Sequence, residues 1–143
     1  MALVVLDAGV VIAALDTADA NHAAAVAFLQ KHATDDIRVP ASAFAEALVS
    51  PARRGVVNEV RETIASLGLA IEPLDEEIAV LAAGVRARRR TVRLPDALVA
   101  ATGEALDADV VLTTDRRLAR LPRFRFVGCR DAGVRRAETP ASG

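Results

Sequence analysis

Four acids in this sequence stand where charge is otherwise absent. Asp7 is the sole charge from Leu3 to Leu15, at the point where a strand-like run gives way to an Ala/Val/Ile run of helical type. Glu46 is the only charge between Ala41 and Ser50, and Asp96 the only one from Leu94 to Gly103. Asp115 closes the apolar run that begins at Val110. A carboxylate buried without a partner is strongly destabilising, and four that converge would raise one another's pKa values unless a cation shared the site. Arg116 adjoins Asp115 and Arg93 lies three residues before Asp96, but Asp7 and Glu46 have no arginine that near in sequence. A divalent ion is the more economical partner. Oxygen ligands without His or Cys suit Mg²⁺ or Mn²⁺ and disfavour Zn²⁺. Such an ion keeps positions open for water and phosphate oxygens, so the chemistry expected is metal-dependent phosphodiester hydrolysis.

Each acid also has a plain structural reading. Asp7, Asp96 and Asp115 stand near helix starts, where Asp commonly caps. Glu46 shares a helix face with Ser42, four residues earlier, and that face could simply be solvated. The recurrence of the pattern is what favours a site. Nothing else competes, because the chain has no Gly-rich phosphate loop, no Ser/His/Asp order and no thiol constellation. His22 lacks a spaced His or Cys partner and is expected as an exposed residue at a cleft mouth. Cys129, the sole cysteine, excludes a disulfide within the chain and a multi-cysteine metal site. A phosphoacceptor receiver would need a second acid beside Asp7 and a late lysine, whereas Lys31 is the only lysine. A phosphatase of the DxD type would need an acid where Gly9 stands.

The elements that must position these acids alternate. Strands are expected over Ala2–Leu6, Ile37–Val39, Leu69–Leu74, Val110–Leu112 and Phe124–Val127. Helices are expected over Ala8–Leu15, Ala20–Ala33, Pro40–Ser50, Val56–Leu67, Glu76–Arg90 and Leu94–Leu106, with a short one over Arg116–Leu121. Alternation of this kind implies crossover connections and a three-layer α/β/α fold around a mostly parallel sheet. In such a sheet the carboxyl ends of strands and the adjoining helix starts line the ligand crevice, which is where Asp7, Asp96 and Asp115 fall. One domain is expected over residues 1–129, followed by a polar, flexible tail over 130–143.

The chain of 143 residues is 52% hydrophobic with four Phe and no Trp or Tyr. That leaves few aromatic faces on which bases could stack. Net charge is −1, and 17 of the 18 cations are Arg. With the four acids assigned to a metal, 15 acids face 18 cations, leaving +3. The arginines gather over residues 86–93 and 116–125, and the second group begins beside Asp115, in reach of a nucleic-acid backbone. The apolar start has no preceding cation and is interrupted by Asp7, unlike a signal peptide, and no run suits a membrane span. A cytoplasmic protein is expected.

The segments VVLDAGVVIAAL, PASAFAEAL, LPDALVAATGEALDADVVLTTDRRL and FRFV resemble the PIN domain, and within it the small VapC-type ribonuclease toxins of toxin–antitoxin pairs. The likeness runs from about residue 2 to 128. It implies a Mg²⁺- or Mn²⁺-dependent endoribonuclease acting on RNA, with Asp7, Glu46, Asp96 and Asp115 as its catalytic and metal-binding quartet. It further implies an auxiliary hydrogen-bonding role for Thr113, a cognate antitoxin and a homodimer, while the arginine group that begins beside Asp115 makes Arg116 and Arg117 the candidates for RNA contact. Two positions depart from the family pattern. Gly9 stands where Ser, Thr or Asn is more usual, and Arg117 where a further Asp is common, so one metal site is expected and a second is left open. A non-catalytic module acting through antitoxin or dimer contacts is the alternative.

Overall fold

The computed structural model describes residues 1–129, so the tail expected over 130–143 lies outside the described residues. Five strands, β1 (Leu3–Leu6), β2 (Asp36–Pro40), β3 (Leu69–Glu72), β4 (Val110–Thr113) and β5 (Phe124–Phe126), form one sheet in the order β3-β2-β1-β4-β5. Every pairing is parallel, with Val4 opposite Ile37 on one side and Val110 on the other. Among the described residues six helices flank this sheet or one another: α1 (Ala8–Leu15), α2 (His22–Lys31), α3 (Ala41–Arg54), α4 (Val57–Ser66), α5 (Glu76–Arg88) and α6 (Leu94–Ala105). The three-layer α/β/α architecture expected from the alternation is the one observed.

Burial explains why the strands read as unbroken apolar runs. Val4, Val5, Leu6, Val111 and Leu112 are fully buried, as strands covered on both faces must be. One core joins the strands to α1, α2, α3 and α4, while a second packs Ile78, Ala82 and Val85 of α5 against Ala97 and Ala101 of α6.

Element ends follow local chemistry. Asp75 accepts from the Ile78 amide (2.9 Å) and starts α5. Gly55 ends α3 at φ +72°, a left-handed position that suits glycine. Several bounds differ from expectation. Pro40 closes β2 and α3 starts at Ala41, then runs past Pro51 to Arg54. Helix α2 begins at His22 because Asp19 first closes a turn on the Asn21 amide, and the Asn21 side chain accepts from Cys129 N. The short helix expected over Arg116–Leu121 is one 3₁₀ turn, Leu118–Arg120.

Helix α6 lies close on β4. A Cβ added at buried Gly103 would stand 2.5 Å from Val111 Cγ2. Helix propensity alone predicts that Gly103→Ala stabilises by about 1 kcal/mol. Overpacking of this kind costs about 1–3 kcal/mol, so a net loss in urea unfolding is expected, and a net gain would contradict the close approach.

Candidate active site

The chain winds outward from β1 to β2 and β3, then returns to place β4 on the other side of β1. The carboxyl ends of β1 and β4 therefore form the switch point at which open α/β sheets bind ligands. Asp7 directly follows β1, and its amide donates to Leu112 O in β4 (2.9 Å). The residue is 9% exposed. One carboxylate oxygen accepts from Ala8 N (2.7 Å) and the other from Thr113 Oγ1 (2.9 Å). Thr113 is fully buried, and the same hydroxyl accepts from Asp115 N (3.0 Å). The hydroxyl thus donates its one proton to the first acid while fixing the backbone of the last. Burial pushes the Asp7 pKa up; the Thr113 and Ala8 hydrogen bonds oppose this, and the charges of Asp96 and Asp115 add to the rise.

Asp96 occupies the first turn of α6, whose start is set by Pro95, a residue that has no amide proton to leave unsatisfied there. The Asp96 side chain makes no helix cap. Partial burial raises its pKa, Arg93 lowers it, and Asp115 raises it again. The Arg93 guanidinium stands 3.9 Å away. Glu46 projects at the exposed rim from α3. Partial burial of its carboxyl and repulsion from Asp7 and Asp96 raise its pKa, against a lowering from Arg93. Asp115 behaves oppositely. Arg117 donates to it from the backbone (2.9 Å) and from the guanidinium (3.2 and 3.0 Å), and holds its pKa below the usual carboxylate value.

Acids at the amino end of the sheet provide a contrast. Asp35 accepts from Ala2 N and pairs with His32, Asp36 is held by Arg38, and Asp109 accepts from Leu3 N. Asp35 and Asp36 are accordingly lowered. These acids are partnered, whereas Asp7, Glu46 and Asp96 at the carboxyl end are raised. Asp7 and Asp115 do meet backbone amides as caps would, yet Asp7 remains raised, which capping alone does not explain.

All four expected acids therefore fall in one electrostatic cluster. Among the described residues no three acid, His or Cys side chains form a ready-made metal cage, and Arg117 engages Asp115. The donor set fits a hard divalent cation nonetheless: it is carboxylate oxygen only, and burial plus repulsion penalise its charge until a cation is added. Arg117, not Arg116, is the arginine that meets Asp115. Arg116 stacks over Phe126 (4.4 Å) and reaches Cys129 O (3.4 Å). His22 is half-buried and bonds Ala13 O (2.8 Å), tying α2 to α1 instead of standing exposed at the cleft mouth.

Three features escaped sequence reasoning. Arg93 acts on Glu46, Asp96 and Asp115 together, although its spacing revealed only Asp96. Arg89, Arg116, Arg117 and Arg120 line one groove of about 530 Å³, joining arginines from both sequence clusters with no acid among the lining residues. Thr114 Oγ1 fills the space a side chain at Gly9 would need, 2.1 Å from the ideal Cβ.

The pKa directions give a stability signature. A carboxylate raised in the folded state contributes stability fully present below its unfolded pKa, and loses it as pH rises through the folded value. Without metal, Asp7 therefore penalises folding increasingly as pH rises above the ordinary carboxylate range. The unfolding free energy of Asp7→Asn relative to the parent should shift in favour of the variant between about pH 4 and pH 7 in metal-free buffer. A shift the other way in urea titrations would show that Asp7 is a stabilising cap.

Comparison with known proteins agrees with this geometry. The family model described as the PIN domain matches residues 4–124. No curated protein sequence matches significantly. Among solved structures, FitAcB from Neisseria gonorrhoeae is 26% identical, with a TM-score of 0.65 over 78% of this chain and 87% of that one. VapBC2 from Rickettsia felis, bound to a DNA fragment from its promoter, is 14% identical at a TM-score of 0.69, over 87% and 96%. VapC20 from Mycobacterium tuberculosis, a sarcin–ricin-loop-cleaving toxin, is 14% identical at 0.64, over 81% and 92%. The match spans most of the chain, and the parallel α/β/α fold accords with it: the chain belongs to the PIN domain family.

Proposed function

We propose that the chain is a Mg²⁺- or Mn²⁺-dependent endoribonuclease of VapC type, the toxin of a toxin–antitoxin pair. The observation that carries this reading is the buried, raised Asp7 at the switch point, with Asp96, Glu46 and Asp115 close enough to act on its charge or on one another's. A bound divalent ion would supply an acidified water and stabilise charge on the phosphate. Asp7, Asp96 and Asp115 are its proposed ligands, with Glu46 completing the quartet. Thr113 fixes the Asp7 carboxylate and the Asp115 backbone in one arrangement. Glu46, at the rim and with its pKa raised by partial burial and by Asp7 and Asp96, suits accepting the proton of the attacking water.

RNA would follow the arginine-lined groove, where Arg116 and Arg117 join Arg89 and Arg120 beside Asp115. Arg117 then serves twice, as the counter-ion of Asp115 without metal and as a phosphate contact once a metal takes the acid. The antitoxin fits a second groove of about 500 Å³ between α1, α3 and α4. Ile12, Ala47, Pro51, Val56 and Val60 give it an apolar floor, and Glu46 stands at the edge where a basic residue could reach the acids. The structural relatives include toxin–antitoxin complexes, which supports such a partner. The exposed Val80 and Leu94 support a homodimer through α5 and α6. No helix among the described residues is long and apolar enough to cross a membrane, in keeping with a cytoplasmic nuclease. Residues 1–129 form its catalytic domain.

Cleavage of total RNA by purified protein tests the reading. Mg²⁺ should support cleavage, while a chelator or Asp96→Asn should lower it by about a hundredfold or more. Equal cleavage in all three conditions would exclude the metal mechanism.

A further inference from the structure

Gly9 and Thr114 are 105 positions apart, yet they share one space. Gly9 lies in the first turn of α1, immediately after Asp7 and Ala8. Thr114 lies between Thr113 and Asp115, past the end of β4. A Cβ added at Gly9 would stand 2.1 Å from Thr114 Oγ1, which no real Cβ tolerates, whereas Thr114 Cβ at 3.5 Å is an ordinary contact. The hydroxyl alone therefore excludes a side chain at position 9. It occupies the place from which such a side chain would start, next to the acid cluster.

The neighbouring hydroxyl is already committed. Thr113 Oγ1 is fully buried, donates its proton to Asp7 and accepts from Asp115 N. It can orient acids but has no proton for a group entering the cleft. Thr114 is half-buried, and its Oγ1 makes no hydrogen bond to another described residue.

We propose that Thr114 supplies the hydroxyl of this active site in place of a side chain at position 9, donating to a water or phosphate oxygen in the cleft, with Gly9 keeping the space open. The inference rests on the nuclease reading above. It makes Thr114 a direct contact to the water or phosphate in the cleft and gives Gly9 the task of leaving room for that hydroxyl.

Substitutions at positions 9 and 114 test it. Thr114→Val keeps the shape and removes the hydroxyl, so kcat for RNA cleavage should fall about tenfold while KM changes little. Thr114→Ser should stay within about threefold of the parent, and both variants should keep the parental thermal midpoint to within about 2 °C. The packing half is read without metal or RNA: Gly9→Ala should turn the Thr114 side chain to another rotamer, seen in three-bond NMR couplings to its methyl carbon. Restoring a hydroxyl from the other side, Gly9→Ser combined with Thr114→Ala should cleave faster than either single variant. An unchanged Thr114 rotamer in Gly9→Ala overturns the shared-space argument. Cleavage by Thr114→Val at the parental kcat overturns the hydroxyl's role alone. A parent that cleaves no RNA in Mg²⁺ overturns the nuclease reading, and the role with it, while the rotamer coupling would still be observed.

Discussion

The burial of one carboxylate organises this molecule. Asp7 must follow β1 because the Leu112 carbonyl takes its amide, and it must point at Thr113 because that hydroxyl takes its side chain. Two hydrogen bonds do not offset its burial and the nearby charges of Asp96 and Asp115, so the group remains raised. Natural proteins rarely retain such a group unless its charge is used. The surrounding architecture concentrates this repulsion at one end of the sheet, while acids at the other end are neutralised by amides, His32 and Arg38.

Arginines answer the same repulsion. Arg117 wraps Asp115, and Arg93 stands near Asp96, both from largely exposed positions. Exposed ion pairs contribute little free energy. They are therefore well suited to be exchanged for a cation of higher charge density without a large loss of stability. An acid cluster balanced by loose arginines, beside a groove lined by further arginines, is consistent with a site that takes up a metal and a polyanion together.

Much of this was legible in the sequence because isolated charge in an apolar run is a local signal. Asp7, Glu46, Asp96 and Asp115 could each be found without knowing the fold, and the alternation of elements placed three of them at the crevice. The bounds of α1 followed from Asp7 before it and Asp16 after it. What stayed hidden was set by through-space geometry. Arg117 reaches Asp115 because a two-residue turn folds its amide and guanidinium onto the same carboxylate, which adjacency alone would have assigned to Arg116. His22 found a carbonyl of the preceding helix. The exchange between Gly9 and Thr114 depends on β1 and β4 being neighbours, so Gly9 read only as a loss.

The central claim is that a divalent cation resolves the repulsion around Asp7, and it is tested most directly without RNA. The thermal midpoint should be followed while Mn²⁺ or Mg²⁺ is titrated into the parent and into Asp7→Asn. A cation bound only by the folded state stabilises it by about 2.7 kcal/mol at a hundred times its dissociation constant. The account predicts a saturable rise of several degrees for the parent and little or none for the variant. Parallel curves for the two proteins, or no rise for the parent, would contradict it.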